Sequence, residues 1–219
     1  MARLKLLSDP VGNLSLRRQA LLWLIPLLSL AYETDLTALL WLGSTTAILL
    51  TSASARQSVF AMIYRNWWTT LAVGVGIGLL FGALINPAID GLAETITGSE
   101  IDLSQFADVE GDSGAFIELL IVAILFGGVV EEACFRGFFI GWGVTLFGKR
   151  WAIPILLVSS AVFGMGHLYQ SPAGALSTGL FALIVGGLYL ALGRKLLPVI
   201  LIHAVSNAWG VTEIYLGAV

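Results

Sequence analysis

Seven stretches of the chain run nearly free of charge, at about residues 18–32, 36–54, 67–86, 115–136, 151–167, 174–192 and 197–217. Each approaches the roughly 20 helical residues that a hydrocarbon core of about 30 Å takes. The pattern predicts an all-α, polytopic transmembrane helix bundle of about seven spans. The first stretch is short, which implies little tilt or a locally thinned bilayer. The apolar run Gly137–Phe147 is too long to belong to the fourth span. It is either a glycine-loosened extension of that helix or an interfacial helix. One structural unit is expected, with N-terminal membrane helices and an acidic outer loop over 1–114 and a C-terminal helix bundle over 115–219.

The segments between these stretches set a direction, because Lys and Arg collect on the cytoplasmic side. With the N-terminus inside, Arg3, Lys5, Arg17, Arg18, Arg56, Arg65, Lys149, Arg150, Arg194 and Lys195 all fall on inner segments, and Arg136 alone is left over. The outer segments hold Glu33 and Asp35, then the polar stretch Asn86–Gly114 with Asp90, Glu94, Glu100, Asp102, Asp108, Glu110 and Asp112. The expected topology is N-in and C-out. Composition agrees: 58% of the 219 residues are hydrophobic and 11% charged, against about 25% charged in soluble domains. The lipid bilayer is therefore one partner. The net charge of -3 comes with no basic block, so nucleic acid is not an expected partner. Cys134 is the only cysteine, which excludes an internal disulfide and a multi-cysteine metal cluster.

Several motifs have plain structural explanations. Arg17-Arg18 before an apolar run, with Ser29-Leu30-Ala31 after it, resembles a signal peptide, but a topology-setting first helix fits better. Gly74, Gly78 and Gly82 form a doubled GxxxG that predicts a close helix contact. The GDSG at Gly111–Gly114 lies in an acidic segment without a nearby histidine and is expected to be a turn before a helix. Cys134 sits beside glutamates that would disfavour its thiolate, so packing is its expected role.

The charges inside the fourth span need a reason, since a charged residue near the bilayer centre costs about 2.5–3.5 kcal/mol on insertion scales. Glu132 and Arg136 are four apart, acid before base, and can neutralise one another on one helical face. Glu131 points about 100° away and needs a different partner. Both histidines of the chain lie in or beside apolar spans: His167 is four residues after Phe163, and His203 four before Asn207. Two histidines, an unpaired glutamate and an asparagine in one apolar bundle predict a polar intramembrane cavity. Straight helices would leave His203 and His167 at different depths, roughly 9 and 24 Å from the inner edge. Either Gly193–Pro198 dips into the bundle, or the fifth and seventh spans tilt and begin elsewhere.

Glu131-Glu132-x-x-x-Arg136, Phe163-x-x-x-His167 and His203-x-x-x-Asn207 together resemble the three motifs of the CPBP family, the CAAX proteases and bacteriocin-processing enzymes also called the ABI family. The wording EEACFRG is similar to the family's EExxFRG, and the resemblance covers about residues 115–210. It implies a glutamate-dependent intramembrane endopeptidase, of which the type II CAAX prenyl proteases are the best known. By that resemblance Glu131 and His167 hold and activate a water, His203 and Asn207 stabilise the oxyanion, and Glu132, Arg136 and Phe163 support them. The implied substrate is a membrane-associated or prenylated (CAAX-type) protein or peptide, and the implied location is a prokaryotic cell (inner) membrane.

Other chemistries fit less well. There is no HExxH for a site-2 type zinc protease, although NPAID at Asn86 resembles that family's second motif. No aspartate falls within a predicted span, which excludes a presenilin-like dyad, and a rhomboid-like serine is absent. Glu131, His167 and His203 would also make a zinc-ligand set. The resemblance favours a glutamate-held water and no obligatory metal or other cofactor, since asparagine is a poor zinc ligand and a good oxyanion donor. A transporter or proton relay would use the same buried Glu and His groups without needing the motif spacing. A noncatalytic membrane scaffold is the third alternative.

Overall fold

The computed structural model describes residues 9–30 and 36–218. Arg3, Lys5, Ala31, Glu33 and Asp35 lie outside the described residues. The regular structure of the described residues is all helical, with no strand among them. The helices are α1 (Leu16–Ser29), α2 (Thr37–Thr51), α3 (Ala53–Val59), α4 (Trp67–Thr97), α5 (Ser113–Phe147), α6 (Ala152–Met165), α7 (Ser171–Ala191) and α8 (Leu196–Tyr215).

Each predicted apolar stretch is mostly helical where it is described, yet not all are long enough to cross a membrane. Among the described residues four helical runs are: Trp67–Thr97, Ser113–Phe147, Leu168–Ala191 and Leu196–Tyr215. Counting α2 and α3 as one broken span makes five; the two are bent by 113°. The bend is capped, with Ser52 accepting from Ala55 N at 3.2 Å and Asp9 Oδ1 accepting from Ala53 N at 2.9 Å. Helices α1 and α6 have 14 described residues each, about 21 Å of rise, so the described residues do not establish the expected count of about seven full spans. The N-in, C-out direction rests on the loop charges alone.

Two sequence expectations are corrected by α4 and α5. The polar stretch from Asn86 does not begin a loop: α4 continues through Asn86–Thr97 after a π segment at Phe81–Ile85. Pro87 lacks an N–H, and the wider π turn just before it absorbs the break. Asp90 therefore lies inside a helix apolar enough to span, hydrogen-bonded by Ser177 of α7, so one aspartate is found where none was expected. The run Gly137–Phe147 is the extension of α5 and not an interfacial helix, and its residues from Cys134 to Val144 are all buried.

The core gathers round that extension. Phe138, Ile140, Trp142, Tyr189, Val199 and Ile202 are nearly inaccessible. Helix α1 docks there through Trp23, which stacks on Phe139 at 4.3 Å and donates to the Phe139 carbonyl at 2.9 Å. On the far side α4 packs along α8 by the predicted glycines. A Cβ on Gly74, Gly78 or Gly82 would fall 2.5–2.7 Å from Leu201, Val205 or Trp209 in turn. The GDSG is the expected turn, with Gly111 at φ 70 and Asp112 capping α5 through Gly114 N and Ala115 N. Arg56, Lys149, Arg150 and Arg194 gather at the end where α5 finishes; Arg194 donates to the Gly141 carbonyl at 2.9 Å.

Candidate active site

Helix α5 carries the acid pair on backbone that widens to π geometry over Ala123–Glu131 and again over Ala133–Trp142. Such segments are uncommon and recur at functional sites. Gly127 and Gly128 let α8 approach closely: a Cβ on Gly128 would meet Ala204 at 2.8 Å.

Glu132 and Arg136 pair as their spacing predicts, Nη1 to Oε1 at 2.7 Å, with 0 and 1% of their side chains exposed. The contact is an ion pair without good hydrogen-bond alignment. Arg136 also donates from Nη2 to the Ala182 carbonyl at 3.3 Å and lies over the Phe163 ring at 5.0 Å.

Sequence reasoning missed the second partner of Glu132. Its Oε1 also accepts from His203 Nδ1, at 2.8 Å. A carboxylate oxygen only accepts, so Nδ1 carries a proton and Nε2 is the nitrogen left for chemistry. Nε2 faces Gly127, where a Cβ would lie 3.7 Å from it and 2.5 Å from Asn207 Nδ2. His203 and Asn207 thus share a face, as their interval predicts. Asn207 spends one N–H on the Ala123 carbonyl at 3.0 Å and keeps the other.

His167 lies just beyond the end of α6, its ring 4.9 Å from that of Phe163. Its Nδ1 donates to the Phe163 carbonyl at 2.8 Å, which leaves the Nε2 lone pair available. The expected depth mismatch disappears for two reasons. Helix α6 is short, and α8 starts inside the bundle, with Leu196 and Val199 buried and Leu196 N bonded to the Ala61 carbonyl. Phe163 sits between the histidines, its ring 6.2 Å from that of His203.

Glu131 is half-buried, and its carboxylate makes no hydrogen bond or ion pair with a described residue. It lies within electrostatic reach of His203, Glu132 and Arg136, as His167 does of His203. Beside it, Glu132 Oε2 is fully buried without a partner. Among the described residues no three His, Cys, Asp or Glu side chains converge to hold a metal ion, so no step below is routed through one. Cys134 is buried and free.

Residues 113–209 match the family described as Rce1-like, "Type II CAAX prenyl endopeptidase Rce1-like". No curated protein matches the chain, and no solved structure does. The matched stretch runs from the start of α5 to Trp209 in α8 and holds all seven motif residues, so this part of the chain is similar to the CAAX protease-like family of membrane proteases.

Proposed function

We propose that the chain is an intramembrane endopeptidase that hydrolyses a peptide bond in a membrane-associated or prenylated, CAAX-type protein or peptide. The observation that carries this is a carboxylate, Glu131, left without a partner within reach of His203, in a bundle where both histidines have their Nδ1 protons already committed. A water between Glu131 and His167 Nε2 gives its proton to the Glu131 carboxylate as its oxygen attacks the scissile carbonyl carbon. The oxyanion meets the free N–H of Asn207 and, when His203 is imidazolium, its Nε2–H. Collapse breaks the C–N bond, and the proton held by Glu131 passes to the leaving amine. No metal is required. Were zinc to bind, Glu131, His167 and His203 would be its ligands, in another arrangement of these side chains. A proton relay would use the same groups, but the family match favours hydrolysis.

The test is cleavage of a membrane-associated peptide, with and without a prenylated C-terminal cysteine motif, by purified wild type and Glu131→Gln at matched folded fraction. Cleavage by wild type and its near-complete loss in Glu131→Gln are expected. Full activity in the variant would sink the mechanism. Activity lost to chelator and restored by zinc would move the same residues into a metal site.

A further inference from the structure

Asn86, Asp90 and Glu94 recur at every fourth position of α4 and so form one polar row on an apolar helix. The row meets α7 and α8. Asn86 Nδ2 donates to Ser206 Oγ at 2.8 Å, and Ser177 Oγ donates to Asp90. Ser206 lies one turn along α8 from His203, so the row leads from the loop end at Glu94 to the back of the candidate active site. At the loop end Glu94 Oε1 accepts from Ile101 N at 3.1 Å.

Interhelical hydrogen bonds that merely hold helices together would explain the two pairs. They leave two observations unexplained. Asn86 Oδ1 is buried with no partner, and a buried amide oxygen normally finds one in protein or in ordered water. One turn beyond Ser206 and two beyond His203 on the same face of α8, Gly210 is half-buried, yet a Cβ there would meet nothing within 4 Å. An acceptor without a donor thus lies beside open space, in a lining of amide, hydroxyl and carboxylate groups.

We propose that this seam between α4, α7 and α8 is a water-binding site that feeds the hydrolytic water to the candidate active site at His203. The feeding role rests on the peptidase function proposed above; the water site does not. A hydrolase enclosed in hydrocarbon needs a wet route apart from the space its peptide fills, and the seam supplies one that opens beside the loop following α4.

Both halves are tested on the full chain in lipid nanodiscs. In a Cys134→Ala background, Asn86→Cys, Asp90→Cys and Leu84→Cys are exposed to silver ion, a water-borne probe of water's size. Modification is read as loss of later maleimide labelling. Leu84 is 64% exposed on the outer surface of α4, at the depth of Asn86, and serves as the lipid-facing control. Thiols react as thiolates, and a low-dielectric site suppresses ionisation, so the two seam cysteines should react at least about tenfold faster than the control. Equal rates would overturn the water site. Separately, Gly210→Leu places a side chain in the open space, its Cβ clear of every neighbour, and turnover should fall about tenfold at unchanged KM. Asn86→Leu should do the same, with Ser206→Ala in its place if that variant does not fold. Wild-type turnover in Gly210→Leu would overturn the feeding role. Fast silver reaction in a chain that cleaves no peptide would keep the water site and remove the peptidase function instead.

Discussion

Arg136→Met tests how the buried charges are balanced, because it deletes one charge while keeping most of the apolar contact under Phe163. Glu132 is fully buried, and its ion pair spans 2.7 Å. At an effective dielectric of about 20 that attraction is about 6 kcal/mol before desolvation, most of which it offsets. Removing one partner of such a pair costs about 3–5 kcal/mol, because the remaining charge stays buried. The guanidinium over Phe163 adds about 1 kcal/mol. Against this, His203 still donates to the same Glu132 oxygen, which draws the loss toward the lower end, about 3 kcal/mol. At about 2–4 °C per kcal/mol for a chain of this size, melting should fall by about 10 °C. The double variant Glu132→Gln/Arg136→Met leaves no unpaired charge and should recover more than half of that loss. The assay is thermal unfolding of the purified variants in one detergent, followed by tryptophan fluorescence. A double variant as unstable as Arg136→Met, or less stable, would refute the pairing argument.

Glu132→Gln, which the motif alone would assign to stability, should also lower turnover by about 10–100-fold, since it orients His203 as outer carboxylates orient working histidines; kcat at matched folded fraction measures it. Asn207→Ala removes one oxyanion donor and should lower kcat by about a hundred- to thousandfold with KM little changed, read from steady-state cleavage. Gly78→Leu drives a side chain into Val205 and the Ile202 carbonyl and should destabilise by about 1–3 kcal/mol. Gly76→Ala, where a Cβ meets nothing, should be neutral or stabilising by up to about 1 kcal/mol; melting of the two variants side by side decides.

The Glu132–Arg136 pair was legible because four residues on a helix fix two side chains on one face. The glycine row on α4 was legible for the same reason, and the two lone histidines of an apolar chain stand out by rarity. The bond between His203 and Glu132 was not legible: the residues are 71 apart, and only the rotation of α8 against α5 brings them together. The π geometry of α5 was hidden as well, since one wide turn changes the register of later side chains without a reliable sequence mark. At Asn86 the signal misled. A polar residue before a proline reads as a helix boundary, yet a π segment carries α4 through it. Apolar runs alone do not set the number of full spans, because composition does not register where α6 stops or where α2 turns into α3.

The length of α5 has a consequence for anything that reaches Glu131. The helix runs 35 residues, and Glu131 stands near its middle, 18 residues from Ser113 and 16 from Phe147. Centred on a bilayer core of about 30 Å, that position lies about 15 Å from either surface. Extended chain covers about 3.3–3.6 Å per residue, so a peptide arriving from water needs four or five unfolded residues to touch the carboxylate. On the proposed function, a helix α5 so centred would act as a depth gauge: folded loops and short stubs at the membrane surface would stop short of Glu131, and a loose tail or a frayed helix end would be long enough to arrive.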